Sequence, residues 1–379
     1  MTDKSTTAPR PVSKTRGAQY NPPNRFADTL RTDFSDGWEL GELSVFTAES
    51  RESGADEFGV IQDPATETFV DHSKTIVSSN SSPDIPFTRS INPYKGCEHG
   101  CVYCFARPTH EYLDLSLGKD FESKIFYKPD AEALLQKFLA KPGYQCETIA
   151  LGTNTDPYQP LEKEKQITRQ ILETLLRHRH PVSIVTKGSL ILRDTDLLAE
   201  FARQGLVSVM VSVTTLDTQL KRIMEPRTAS PSTRLKVISG LRDAGVPVGV
   251  MVAPVIPFVN DNELESIVDQ SVAHGAQSLG YVMLRLPYQL KDLFSDWLEV
   301  HFPLRKERVL NTLRDMRGGS LYQAEFGKRM RGEGVYAELI RQRFEVVGRK
   351  NHQRLTGMPS PRTDLFQVPD RAEQFSLGF

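Results

Sequence analysis

The chain is poor in cysteine and tryptophan, with four and two among 379 residues, and its formal net charge is only −1. So small a net charge gives no reason, through bulk electrostatics, to expect a polyanionic partner. Apolar residues make up 39% of the chain, yet no run is long enough to span a bilayer. The N-terminus, MTDKSTTAPRPVSKTRGAQYNPP, lacks the apolar stretch of a secretory signal. Its Arg, Ser and Thr faintly resemble a transit peptide, but Asp3 and the prolines oppose an amphipathic helix there. A cytoplasmic protein without membrane association is the expectation. Four cysteines, with Cys97, Cys101 and Cys104 in one short loop and Cys146 far away, suit a reducing compartment better than a disulfide framework.

Composition changes along the chain. Residues 1–27 are rich in Thr, Pro, Lys and Arg without hydrophobic period and read as a disordered arm. Residues 28–84 form an acidic extension whose patches ELSVF and FGVI suggest loose strands or loops. From residue 85 to 286 the pattern alternates. The apolar runs TRSINPY, ETIALGT, PVSIVTK, LVSVMVSVTT, VPVGVMVAPVIP and SLGYVML read as strands. Between them, segments such as KEKQITRQILETLLRHR carry apolar residues at helical spacing (Ile167, Ile171, Leu172, Leu175). Asp194 is a candidate N-cap, Gly205 a candidate C′ residue, and Ser232 or Thr233 a candidate cap for the helix after the fourth strand. Repeated βα units with continuous Val- and Ile-rich strands imply an α/β fold with a parallel sheet. With no Gly-rich dinucleotide fingerprint after the first strand, a partial (β/α)6 TIM-like barrel is expected. Residues 287–354 read as basic helices, with thirteen Lys or Arg against six Asp or Glu from Pro303 to Arg354, and 355–379 as a tail.

The loop KGCEHGCVYCF can place three soft thiolates around one inorganic centre, either zinc or an iron–sulfur cluster. Structural zinc takes four ligands, usually as two separated pairs, and no second pair follows here. His99, His110 and Cys146 sit at no customary zinc spacing; packing or surface roles suit the histidines, and a small buried role suits Cys146. Most cubane clusters take four cysteines, so three would leave one iron open to a small molecule.

Cys-x3-Cys-x2-Cys after a first strand, with Tyr103 before the third cysteine, resembles the signature of the radical S-adenosylmethionine (SAM) enzymes. The resemblance implies a [4Fe–4S] cluster on Cys97, Cys101 and Cys104, with SAM chelated at the open iron. It implies reductive cleavage of SAM to a 5′-deoxyadenosyl radical, hydrogen abstraction from a substrate, and an electron donor such as a flavodoxin or ferredoxin. In such barrels the functional residues collect at the carboxyl ends of strands. The second strand ends in Thr153, Asn154 and Asp156, an edge that in related enzymes meets the amino group of SAM. The third ends in Lys187, either a snorkelling lysine or a ligand for the SAM carboxylate. The fourth ends in Ser212, Thr214 and Thr215, which could bond a ribose or carboxylate, and backbone at Ala253 of the fifth could pair with adenine. Arg285, after the sixth, could reach a phosphate or carboxylate or pair with a local acid. Glu225, Arg227 and Arg234 lie in the loop after the fourth strand, as ion-pair or substrate groups. The SAM-binding candidates are thus Tyr103, Thr153, Asn154, Asp156, Lys187, Ser212, Arg227 and Ala253.

The endings TNTDPYQP, VTKGS and VSVTT, with EPR and APVIP, are similar to the spore photoproduct lyase-like branch. Those lyases split a thymine lesion in DNA and return hydrogen through a cysteine at the second strand's end and a tyrosine after the third cluster cysteine. This chain has ALGTN and Phe105 at those places, which argues against that repair reaction. With only Cys146 left over, a single cluster is expected. Tyr322, Phe326, Tyr336 and Phe344 lie among C-terminal arginines, so nucleic acid remains a possible substrate, although the same rings fit helix packing. The alternative from another class is a nucleic-acid-binding or repair-like protein whose metal site is only structural.

Overall fold

The computed structural model describes residues 15–26 and 63–369. The continuous apolar runs form six parallel strands: β1 (Arg89–Ile91), β2 (Ile149–Leu151), β3 (Val182–Thr186), β4 (Val207–Ser212), β5 (Val248–Val255) and β6 (Leu279–Met283). They lie side by side in sequence order, with the antiparallel strand Val77–Ser79 beyond β1. β6 and β1 are not neighbours, so the sheet is open, as a partial (β/α)6 barrel requires. Helices α1 (Ala131–Leu139), α2 (Ile167–Arg177), α3 (Thr195–Arg203), α4 (Pro231–Asp243) and α5 (Leu264–Ala273) fill the crossovers. One apolar core joins strand residues such as Ile149, Ile184, Val209 and Val250 to Ile171, Leu175, Phe201, Ile238 and Ile267 of the helices. Burying side chains of this kind contributes roughly 1.5–3 kcal/mol each.

Beyond β6 follow α6 (Leu290–His301), α7 (Lys306–Asp315) and α8 (Gly334–Lys350). Tyr336 and Phe344 of α8 pack on the main core, Phe344 with its ring 4.6 Å from that of Tyr281. These two aromatics therefore serve packing.

Several local expectations change. The long helix expected before β3 is broken at Gln166, whose φ is +52°. The buried carboxylate of Glu162 turns back to accept the backbone N–H of Thr168 at 3.0 Å, starting a new helix there. α4 is capped by Ser230, not by Ser232 or Thr233; its hydroxyl accepts the Thr233 N–H at 3.2 Å, and Pro231 fills the first helical position. Asp194 precedes α3 but makes no cap bond with its side chain, because Arg193 and Arg169 hold its carboxylate. Gly205 does follow α3, with φ +69°. A small second sheet joins Glu67–Val70, Lys124–Tyr127 and Tyr94–Lys95, of which Lys124–Tyr127 falls where no strand is expected.

The arm and the tail also differ from expectation. Residues 15–26, read as disordered, are packed against the cysteine loop. Of the tail, Arg362 donates its N–H to Gly205 at 2.8 Å, and the ring of Phe366 lies 5.3 Å from that of His180. Residues 1–14, 27–62 (with ELSVF and FGVI) and 370–379 lie outside the described residues.

Candidate active site at the cysteine loop

The loop leaves the carboxyl end of β1 and is fastened at each step. Asn92 Oδ1 accepts the Asn154 N–H at 2.9 Å and the Thr153 hydroxyl at 3.1 Å, joining the loop's start to the end of β2. The Cys97 N–H donates to Phe121 at 2.9 Å, and the Val102 N–H to Met224 at 3.0 Å. None of the cysteines is disulfide-bonded. Cys97 lies in one apolar cluster with Ala106 and Phe121, Cys101 in another with Val102 and Tyr103, and Cys104 packs against both.

Burial raises the pKa of all three thiols, that of Cys101 to about 12 with Glu225 adding to the effect. A metal reverses this by binding the thiolate. Among the described residues, no three His, Cys, Asp or Glu side chains are placed to share one metal ion. A mononuclear zinc clip needs such convergence on a single ion. A cluster, in which each thiolate binds a different iron, fits three separated sulfurs on one loop.

The end of β2 holds the loop from the side. The Thr155 hydroxyl donates to Gly96 O at 2.7 Å, and the Glu98 N–H donates to Gln159 Oε1 at 2.9 Å. Asp156 accepts from the Thr186 hydroxyl at 2.7 Å, the Tyr158 N–H at 2.9 Å and the Lys187 N–H at 2.8 Å, and His99 Nδ1 lies 3.3 Å from Oδ2. Burial opposes ionisation of Asp156, but His99 and these donors outweigh it and bring its pKa down to about 2. Both oxygens are therefore committed to positioning β2, β3 and the loop, which leaves Asp156 poorly suited to SAM. Gly152 is needed for the same turn: its φ is +90°, and a Cβ there would lie 2.0 Å from Val185 O.

Arg227, a candidate for SAM, instead donates to Glu98 at 2.9 Å and to Thr66 at 3.2 Å. Glu225 and Arg234 form an ion pair that is almost fully buried. Glu225 also accepts the hydroxyls of Tyr103 and, at 2.7 Å, Thr214. Burial raises the pKa of Glu225, but Arg234, Lys187 and these donors overcome it and lower the value to about 2. The Tyr103 hydroxyl is thus spent inside the protein, and only its ring is available to a ligand.

The remaining candidates differ. Lys187 is half-buried with its ammonium 5.9 Å from the centre of the Tyr103 ring, and no carboxylate among the described residues lies within 4 Å of it. Ser212 is buried beside it in the sheet, its carbonyl accepting Arg234 at 3.1 Å. Ala253 offers a carbonyl that takes the Thr214 hydroxyl at 3.2 Å. Thr153 is half-buried and Asn154 exposed at the rim. His99 and His110 are buried, and burial lowers the pKa of His110 to about 4. Cys146 is half-buried, with its pKa raised to about 11 by burial.

The groups behind the loop carry no local sequence signal. Arg107 is wholly buried and donates to Cys101 O at 2.9 Å and to Leu117 O at 3.0 Å, and it pairs with the equally buried Glu122. Glu122 accepts the N–H groups of Gly17 at 2.9 Å and Ala18 at 2.7 Å, which docks the arm. Gly17 sits so close that a Cβ would lie 1.9 Å from Gly100 O.

Comparison with known proteins gives a family and a fold. The radical SAM superfamily model fits residues 91–270. An uncharacterized protein of Mycobacterium tuberculosis is 38% identical over 296 residues, covering 77% of this chain and 83% of the relative. Another, from Methanocaldococcus jannaschii, is 30% identical over 173 residues, 46% of this chain and 62% of the relative. Among solved structures, spore photoproduct lyase complexed with dinucleoside spore photoproduct aligns at TM-score 0.56 and 16% identity, over 75% of this chain and 79% of the other. A mutant of the same lyase gives 0.53 and 17%, over 76% and 80%. At such identities the structural likeness is one of fold. Family model, fold and cysteine loop agree: the chain belongs to the radical SAM superfamily and is a radical SAM enzyme.

Proposed function

We propose that Cys97, Cys101 and Cys104 hold one [4Fe–4S] cluster and that the neighbouring strand ends hold SAM. When bound and reduced, this pair supplies a 5′-deoxyadenosyl radical that takes a hydrogen atom from a substrate. The observation that carries the reading is Lys187: a half-buried ammonium without an acid partner, at the end of β3 beside three free thiols. Glu225 feels its charge but is in contact with Arg234, which leaves the ammonium open to an anion, and the carboxylate of SAM is such an anion.

The protein's own work is positioning and exclusion of water. Lys187 binds the carboxylate, and Ser212, Thr153 and Asn154 supply hydroxyl and amide groups around the amino acid and ribose. The carbonyl of Ala253 accepts from an adenine amino group in this reading. The Tyr103 ring, Val102, Ile256 and Leu286 belong to one buried apolar cluster with Cys101, which keeps water from that side of the loop. Asp156 and the Glu225–Arg234 pair act through the loop and not on the ligand.

Phe105 follows Cys104, and β2 ends without a thiol, so neither hydrogen donor of the lesion-splitting lyases has a counterpart here. We therefore assign the SAM chemistry and not their repair reaction, with a small electron-transfer protein such as a flavodoxin or ferredoxin as reductant. No helix among the described residues is long and apolar enough to cross a membrane.

The test is anaerobic reconstitution with iron and sulfide, reduction with dithionite, and mass spectrometry of SAM products. Formation of 5′-deoxyadenosine and methionine is the expected result. A zinc-loaded protein, or an iron–sulfur protein that leaves SAM intact under these conditions, would contradict the proposal.

A further inference from the structure

Just past β6 the chain runs through Leu284, Arg285 and Leu286. The two leucines are buried, while Arg285 is half-buried with its guanidinium 5.0 Å from the centre of the Phe105 ring. Phe105 is 45% exposed and directly follows Cys104, so this arginine stands at the open side of the cysteine loop.

Its hydrogen-bonding capacity is nearly unused. Nε is buried without a partner, and Nη1 meets only the Met330 sulfur at 3.5 Å. No carboxylate among the described residues lies within 4 Å of it. The acid that feels its charge, Asp84, is already held by Arg329 Nε at 2.5 Å and the Gly327 N–H at 2.6 Å. Arg317 adds a second buried cation. It is 2% exposed and bonded to the carbonyls of Leu284 at 2.8 Å, Arg329 at 2.7 Å and Lys328 at 3.2 Å, again without an acid. Burial and the charge of Arg285 pull its pKa down to about 10. Asp84 is shared with Arg329 and touches neither Arg285 nor Arg317, so these two guanidiniums still repel, and an anion brought to the more exposed one relieves both.

We infer that Arg285, laid over Phe105, is the subsite for an oxyanion of the substrate, a phosphate or a carboxylate. A guanidinium fork suits the planar, two-oxygen recognition of either group. The exposed Phe105 ring offers an apolar face to the part of the molecule next to that anion. Only the word substrate rests on the radical SAM reading; the anion site stands on its own geometry.

The test is chemical protection in the reconstituted full chain. Phenylglyoxal modifies unpaired arginines, and peptide mass spectrometry reads its rate at Arg285. Pyrophosphate and succinate are compared with chloride at equal ionic strength, with and without saturating SAM. Arg285 should react in chloride and be slowed about tenfold or more by at least one oxyanion, as a charge-assisted contact implies. Slowing by pyrophosphate alone supports a phosphate, by succinate alone a carboxylate, and by both the general oxyanion subsite. Three results overturn the inference: an Arg285 unreactive in chloride, no slowing by either anion, or slowing that vanishes once SAM is bound. The last would make Arg285 a ligand of SAM itself. Absence of 5′-deoxyadenosine would remove the functional reading and leave the protection result standing, so the two failures are distinguishable.

Discussion

Behind the cysteine loop, buried charges are matched. Glu225 has Arg234, Glu122 has Arg107 and two backbone N–H groups of the arm, and Asp156 has His99 and the Lys187 N–H. In front of the loop, Lys187 and Arg285 have no acid within 4 Å among the described residues. The matched pairs are almost fully buried and the two lone cations half-buried, so the difference separates scaffold from surface open to a ligand. A matched buried pair fixes geometry, whereas a half-buried cation with no acid in contact can take up an anion.

Substitutions on the two sides should therefore fail differently. The largest effect comes from the loop itself. Replacing Cys97, Cys101 or Cys104 by Ala should reduce iron and sulfide content and bring 5′-deoxyadenosine formation to background, read by metal analysis and product assay. On the matched side, Glu225→Ala strands the buried Arg234 and should cost about 3–5 kcal/mol of stability in urea unfolding. The pH response has a definite sign. The folded-state pKa of Glu225 is depressed to about 2 from the ordinary 4.5. Its stabilisation is thus complete above about pH 4.5 and lost as the pH falls toward 2. Glu225→Gln should flatten that acid limb of the stability curve. On the unmatched side, Lys187→Ala should leave the fold and iron content in place but weaken SAM binding, measured by titration of the reconstituted protein. Loss of a charge-assisted contact worth about 1.5–3 kcal/mol means roughly ten- to a hundredfold. The smallest effect is at the arm: Gly17→Ala should cost about 1–3 kcal/mol, because the added methyl meets the Gly100 carbonyl. Limited proteolysis near the arm would report its release; an unchanged digestion pattern and midpoint would show that the close contact carries no weight.

The sequence reveals what is local and periodic. Runs such as VSVMVS announce buried parallel strands, and Ile167, Ile171, Leu172 and Leu175 announce the inner face of α2, because both patterns follow from burial on a fixed repeat. The cysteine spacing is legible for the same reason, since three ligands come from one turn of loop. The supports of that loop are not legible. Gly17 meets Glu122 across 105 positions, and Arg227 meets Glu98 across 129, with nothing periodic to link them. Composition misleads in the arm, where a polar, proline-rich stretch packs through two backbone N–H groups aimed at one buried carboxylate. Asp156 shows a subtler limit. Its place at a strand end suggested a ligand for SAM, but a side chain with four donors around it has no oxygen to spare.

The central claim is that Cys97, Cys101 and Cys104 would hold one cluster that binds SAM, with Lys187 taking its carboxylate. Electron paramagnetic resonance of the dithionite-reduced, reconstituted protein with and without SAM tests it most directly. The account predicts one [4Fe–4S] signal per chain that shifts when SAM is added and shifts far less at the same SAM concentration in Lys187→Ala. A signal indifferent to SAM in the unaltered protein, or no cluster signal from a zinc-loaded chain, would contradict it.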